Sequence, residues 1–251
     1  ALITVRSAGA TLLCTVELAD HRDLVAVVSR VRRLLDLDAD PAAVDASLTA
    51  DPALAPLVRA RRGLRSPGAV DGFELAIRAL VGQQISVAGA ATLLGRIAAA
   101  HGTAVTIGDQ PRRAFPTASE LADADPAALP MPRGRAAAVH ALAAAVAGGD
   151  LDLDPGADRA ATRAALLKLP GVGPWTGDYV AMRALADPDV LMSSDLGARR
   201  AAAALGIDLA DGRPGWAPWR SYATHHLWAS RAPADTSPAM TALPTTTEDT
   251  P

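Results

Sequence analysis

Eight consecutive residues, Leu169-Pro170-Gly171-Val172-Gly173-Pro174-Trp175-Thr176, join two apolar stretches at 160–167 and 175–185, both of helical character. Pro174 suits the first turn of the second helix, where the N–H that proline lacks would have no partner. Gly171 and Gly173 remove side chains where the backbone turns, so their N–H groups can face outward beside the positive end of that helix. Such a cradle fits a phosphate oxygen. Proline and glycine are also general turn residues, and the same string reads as an ordinary turn between helices.

A carboxylate and several aromatics lie nearby in sequence. Asp195 stands in Met192-Ser193-Ser194-Asp195-Leu196, before a helix that Gly206 is placed to stop. Capping that helix is the simplest use of Ser194 or Asp195, and Asp178, Asp187, Asp189 and Asp208 are rival carboxylates. Aromatics make up only 3% of the chain, so each tryptophan is informative. Trp175 and Tyr179 share a helix face, and Trp228 closes the segment that starts at Pro218-Trp219-Arg220-Ser221-Tyr222. Core packing is the default for tryptophan. An electron-poor base turned out of a duplex also needs aromatic faces around it, and cations prefer tryptophan. Trp219 is assigned to packing. The adjacent His225-His226 pair lacks the spacing of two metal ligands on one helix face, so it receives no catalytic role.

The elements that must position these groups follow from periodicity. Residues 1–20 predict two short strands, and 21–36 a helix with Leu24, Val27, Val28, Val31, Leu34 and Leu35 at helical spacing. From about residue 40 the chain reads as nearly all helix, broken at joints rich in proline and glycine. A helix from Asp71 carries Phe73, Ile77 and Leu80 to Gly82, and Ser86 caps another bearing Val87, Ala91 and Leu94. Gly82-Gln83-Gln84 is then a polar break between two buried helices. The expected division is 1–45, 46–70 with 188–230, and 71–187. From 231 to 251 the aperiodic Pro, Thr, Ala and acidic sequence predicts a disordered tail.

Bulk properties exclude several classes. Cys14 is the single cysteine, so thiolates of this chain build no intramolecular disulfide, zinc cluster or iron–sulfur cluster, and a reduced, cytoplasmic setting fits. No apolar run approaches a membrane span, and no signal peptide is visible. The start without Met, directly in strand-like sequence, reads as a fragment or processed product. The net charge of −3 gives no basic footprint for nucleic acid.

The hydrophobic-Pro-Gly-Val-Gly pattern between helices resembles the helix-hairpin-helix of base-excision glycosylases. The resemblance widens over residues 1–228 through Asp71-Gly72-Phe73-Glu74, Ile77-Arg78-Ala79-Leu80-Val81-Gly82-Gln83-Gln84-Ile85-Ser86-Val87-Ala88 and Phe115-Pro116-Thr117. Trp175-Thr176 with Tyr179, Asp195, and Pro218-Trp219-Arg220-Ser221-Tyr222 complete it. Together these segments are similar to the AlkA group of 3-methyladenine DNA glycosylases II. The resemblance implies a mostly α, two-lobed helix-hairpin-helix fold behind a partial N-terminal α+β domain with an antiparallel sheet. Some bacterial relatives carry an Ada-type region upstream.

By position it implies Asp195 as the catalytic carboxylate and Trp175, Tyr179 and Trp228 as the base pocket. Gly171, Gly173, Thr176 and Gln83 would contact DNA, and Gln84 would be the wedge that fills the gap left by the flipped base. The carbonyls of Leu167, Leu169 and Val172 would hold a structural monovalent cation, with no other cofactor required. Backbone amides grip phosphate without basic side chains, which makes the acidic balance tolerable. Strand-cutting relatives use a hairpin lysine; that slot holds Trp175, while Lys168 precedes the turn. The expected activity is removal of alkylated bases from duplex DNA by a monomer in the bacterial cytoplasm, leaving the strand intact. A non-catalytic DNA-binding module, or a glycosylase for deaminated or oxidised bases, are the alternatives.

Overall fold

The computed structural model describes residues 1–231 except 10, 19, 108 and 109; of the expected disordered tail, 231–251, Arg231 caps the last helix and the rest lies outside the described residues. Strands β1 (Leu2–Ala8) and β2 (Thr11–Glu17) pair antiparallel, from Leu2 opposite Glu17 to Ala8 opposite Thr11. Gly9 takes φ +65° in the turn. Helix α1 (Leu24–Leu34) buries Val27 and Val31 but leaves Leu24 and Val28 exposed, so only half of the expected apolar stripe is packed.

Helical structure then dominates through α2 (Pro41–Thr49), α3 (Ala55–Ala60), α4 (Gly72–Val81) and α5 (Val87–His101). Asp40 and Asp71 cap α2 and α4 with their carboxylates, and the Ser86 hydroxyl caps α5, as their residue types predict. The polar break at 82–84 separates α4 from α5, yet α5 is not a buried helix. Val87 and Ala91 are exposed, and burial begins only at Leu94 and Ile97.

One further correction concerns a short hairpin, β3 (Ala104–Ile107) with β4 (Gln110–Arg113), inside the region read as nearly all helix. Its signal was present in the β-branched Val105-Thr106-Ile107 followed by Gly108-Asp109, a turn dipeptide. Beyond it come α6 (Ala118–Ala122), α7 (Arg133–Ala147), α8 (Arg159–Leu166), α9 (Pro174–Arg183), α10 (Leu196–Ala204) and α11 (Arg220–Ser230).

Apolar burial separates these helices into two main cores. The first contains Phe73, Ile77 and Leu80 of α4, Ile97 of α5, Val139 and Leu142 of α7, and Leu166 and Val180 across the Pro-Gly hairpin. The second gathers Val44, Leu48, Leu54 and Val58 with Ala198, Ala202, Trp216, Tyr222 and Leu227. A small third cluster of Ala181, Met182, Leu185, Val190 and Met192 lies where they meet, and Trp175, Tyr179 and Trp228 all pack against it. The two lobes therefore join beneath the aromatics singled out from the sequence. Among the described residues, no helix is long and apolar enough to cross a membrane.

Candidate active site

Helix α8 ends at Leu166, and the chain reverses over Leu167–Gly173 into α9, where Pro174 occupies the first turn. Gly171 needs its lack of a side chain twice over. Its φ is +75°, and a Cβ there would come within 2.9 Å of the Ala138 Cβ on α7. Val172 is buried and pins the turn into the first core. Gly173 caps α9 with no side chain, and neither glycine N–H donates a hydrogen bond among the described residues. The N–H groups of Trp175 and Thr176, in the first turn of α9, have no acceptor there either. Four backbone donors thus remain at the positive end of one helix, the arrangement that receives a phosphate.

Asp195 is the N-cap of α10 and faces this hairpin across a cleft. Its Oδ1 accepts the Ala198 N–H at 2.7 Å and the Trp228 indole N–H at 2.8 Å. Its Oδ2 accepts the Trp175 indole N–H at 2.8 Å. Three donors, none of them a cation, fix the carboxylate in place and leave its charge unpaired. The rival carboxylates are all occupied elsewhere. Asp178 is ion-paired with Arg163 at 2.6 Å, and Asp189 takes two bonds from the Arg220 guanidinium. Asp187 accepts the Asp189 N–H, and Asp208 accepts the Ala210 N–H in its own turn.

The cleft has a volume of about 700 Å³ and is walled by Gln83, Gln84, Gly171, Trp175, Thr176 and Asp195, among others. Trp175 stacks on Tyr179 with ring centroids 5.1 Å apart and planes 8° from parallel. Tyr179 therefore backs Trp175 rather than forming the cleft wall, and Arg183 lies 5.7 Å beyond the Tyr179 ring. Trp228 likewise sits behind the carboxylate it holds, outside the wall itself. Trp219 packs edge-on against Tyr222 at 5.6 Å, a structural contact.

The two glutamines divide the work of their loop. Gln83 turns inward, its amide nitrogen donating to the Gly171 carbonyl at 3.0 Å and to the Thr176 hydroxyl at 2.9 Å. Thr176 is 3% exposed, so its hydroxyl serves this internal bond. Gln84 is exposed on the cleft wall with φ +59°, a left-handed conformation that costs a non-glycine residue energy. The inward role of Gln83 carries no local sequence signal, because its partners lie 88 and 93 residues away.

Beneath the pocket, His225 packs edge-on against Trp228 at 5.1 Å, and its buried Nε2 has no hydrogen-bond partner. Burial pushes its imidazole down to about 3, with Arg183 and then His226 adding repulsion. The fold holds His225 neutral, whereas the unfolded chain takes up the proton near the ordinary value of 6.5. Its contribution to stability is complete above about 6.5 and is lost progressively as pH falls toward about 3. Thermal unfolding followed over that window is expected to show a smaller acid-induced loss in His225→Gln than in the wild type. Parallel curves for the two proteins would refute the assignment.

Comparison with known proteins places this geometry among relatives. The family described as AlkA N-terminal domain matches residues 1–71. A Mycobacterium tuberculosis protein named "Probable bifunctional transcriptional activator/DNA repair enzyme AlkA" is 43% identical over 235 residues, covering 91% of this chain and 47% of that protein. The chain thus spans about half the length of that relative. The Escherichia coli protein named DNA-3-methyladenine glycosylase 2 is 38% identical over 206 residues, covering 80% of this chain and 70% of that one. Among solved structures, the 3-methyladenine DNA-glycosylase from Archaeoglobus fulgidus superposes with a TM-score of 0.71 at 22% identity, covering 87% of this chain and 77% of that one. The chain belongs to the AlkA family of DNA-3-methyladenine glycosylases.

Proposed function

We propose that this chain removes alkylated bases of the 3-methyladenine and 7-methylguanine type from duplex DNA and leaves the strand uncut. The observation that carries the reading is the Asp195 carboxylate, held at both oxygens by indole N–H groups and facing the phosphate-ready hairpin. Methylation at N3 of adenine or N7 of guanine places positive charge on the base, which departs neutral when the N-glycosidic bond breaks. The bonding electrons leave with the base, and positive charge develops at C1′ of the sugar. An uncompensated carboxylate stabilises that charge electrostatically and receives a proton from the water that adds to C1′. A second acid is unnecessary, unlike in ordinary glycoside hydrolysis.

The hairpin grips the lesion strand through backbone amides, and Trp175, backed by Tyr179 and joined by Trp228, offers the aromatic surface for a flipped base. Gln84, exposed at the cleft, fills the gap in the duplex. The absence of strand cutting follows from the hairpin slot itself. Trp175 stands there with its indole N–H committed to Asp195, and exposed Lys168 precedes the turn.

The carbonyls of Leu167 and Val172 accept no hydrogen bond among the described residues, and that of Leu169 accepts only a long bond of 3.3 Å from Val172. Three neutral oxygens of this kind fit a weakly charged hard cation. Bound there, a monovalent ion would supply positive charge beside the phosphate. A monomer acting on nucleoid DNA in the cytoplasm completes the reading.

The test incubates the protein with duplexes bearing 3-methyladenine, 7-methylguanine or hypoxanthine. Free alkylated base and strands that break only after alkali are expected. Direct strand cleavage or a borohydride-trapped adduct would overturn the base-only chemistry, and binding without release from any duplex would leave a DNA-binding module. Replacing Na⁺ and K⁺ by tetramethylammonium in the same assay is expected to weaken duplex binding; unchanged affinity would remove the cation from the grip.

A further inference from the structure

Behind the cleft lip, hydrogen bonds connect three segments that are distant in sequence. Arg135, in the first turn of α7, donates from Nη2 to the Gln83 carbonyl oxygen at 2.8 Å. Gln83 in turn donates its side-chain amide to Gly171 and Thr176 of the hairpin. One residue thus binds α7 through its backbone and the hairpin through its side chain. The carbonyl held by Arg135 belongs to the peptide plane that leads into Gln84. Because that plane is rigid, anchoring it restrains the rotation that sets φ of Gln84. That φ is +59°, a conformation that persists where the surroundings enforce it. A hollow of about 280 Å³ beside Arg135 shares Gln83 and Gly171 as lining residues with the main cleft. The bond from Arg135 runs to a carbonyl rather than to a carboxylate, so the guanidinium keeps its full charge while it holds the loop.

We propose that Arg135 is a positioning residue for base flipping: through Gln83 it locks Gln84 in its left-handed turn and holds it in register with the phosphate-facing hairpin. The consequence for catalysis rests on the glycosylase reading above, whereas the staple itself is a property of the free protein. A carbonyl bonded to a charged donor is held more strongly than one bonded to a neutral group, which is why a single arginine can perform this task. Arg133, exposed on the same turn and bonded to neither segment, is the internal control.

The experiment compares Arg135→Met, Arg135→Lys and Arg133→Met with the wild type in two measurements. In hydrogen exchange of the free protein, Arg135→Met is expected to speed exchange of the hydrogen-bonded amides of Gly82, Gln83 and Val172, with Arg133→Met unchanged. In single-turnover release from a 7-methylguanine duplex at saturating enzyme, Arg135→Met is expected to be slower by about ten-fold, near the loss of one charged hydrogen bond. Arg135→Lys should recover part of that rate, and duplex affinity should change far less than the rate. Unaltered exchange in Arg135→Met would overturn the staple. An unchanged rate, with weaker affinity and a salt slope reduced by about one charge, would make Arg135 a phosphate contact instead. If the wild type releases no alkylated base, the glycosylase reading fails. Exchange, together with 2-aminopurine fluorescence of the bound duplex, still decides the positioning role.

Discussion

Asp195→Asn is expected to abolish most base release while duplex binding stays within a few-fold of the wild type. Asparagine keeps the size of the side chain but removes the charge that faces the developing cation at C1′. Losing one preorganised electrostatic contact of this kind costs about 10²–10³ in rate. Geometry adds a second penalty. Both Asp195 oxygens accept an indole N–H, so either orientation of the asparagine amide turns an NH₂ group toward an indole donor. A partly buried donor left without an acceptor costs about 1–3 kcal/mol, so the variant should also melt at a lower temperature. Single-turnover release from a 7-methylguanine duplex at saturating enzyme measures the chemistry without the binding step. Undiminished release would show that another group performs the reaction. Asp178 is the poorest substitute, since Arg163 already neutralises it.

Trp216→Ala is expected to cause the largest loss of stability of any single truncation in the second lobe. Trp216 is 1% exposed at the centre of that core. Its indole N–H donates to Asp51 Oδ2 at 2.7 Å, and the Arg213 guanidinium lies 4.8 Å from the ring centroid while pairing with the same carboxylate. Burial alone would raise the Asp51 carboxyl, but bonds from Trp216, the Ala53 N–H and Arg213 outweigh it and hold the group below its ordinary value. Emptying a buried tryptophan site costs about 3–5 kcal/mol, and removing a donor from Asp51 adds to it. Such a loss is a large share of a domain's total stability, about 5–15 kcal/mol. Urea unfolding of Trp216→Ala beside Trp216→Phe separates the two contributions, because phenylalanine fills much of the volume and lacks the N–H. A midpoint for Trp216→Ala close to that of the wild type would mean that this lobe does not rest on the residue.

How legible the protein was depended on whether the signal was local. Caps and turns are properties of a few adjacent residues. Asp40, Asp71 and Ser86 therefore fell where the helices begin, and Gly171-Val172-Gly173-Pro174 fell at the reversal. Asp195 was readable as a cap, and the family resemblance made it a candidate for chemistry. That two tryptophans grip the carboxylate was not readable, because those bonds join residues 20 and 33 positions apart. For the same reason the sequence did not show that Gln83, named there as a DNA contact, bonds the hairpin through its side chain. Arg135 gave no sign at all, since an arginine that binds a distant backbone carbonyl looks in sequence like any solvated charge. Periodicity misled at α5, where apolar spacing continues into turns that no neighbour covers. The residues named for the site converge on one cleft, but as layers: Trp175 in front, with Tyr179 and Trp228 behind.

The junction of the two cores under Asp195 bears on how such a protein can change over generations. Trp175 comes from the first lobe and Trp228 from the second, and one carboxylate ties both indoles across the third cluster. An exchange of either tryptophan to reshape the pocket would also untie the lobes and release the carboxylate. On the proposed glycosylase reading, adaptation toward a different lesion is therefore cheapest at wall residues that hold nothing else. Leu196, more than half exposed beside Asp195, and the exposed Ser194 side chain fit that description. The aromatic pair stays fixed by the architecture it secures, and variation is left to the rim.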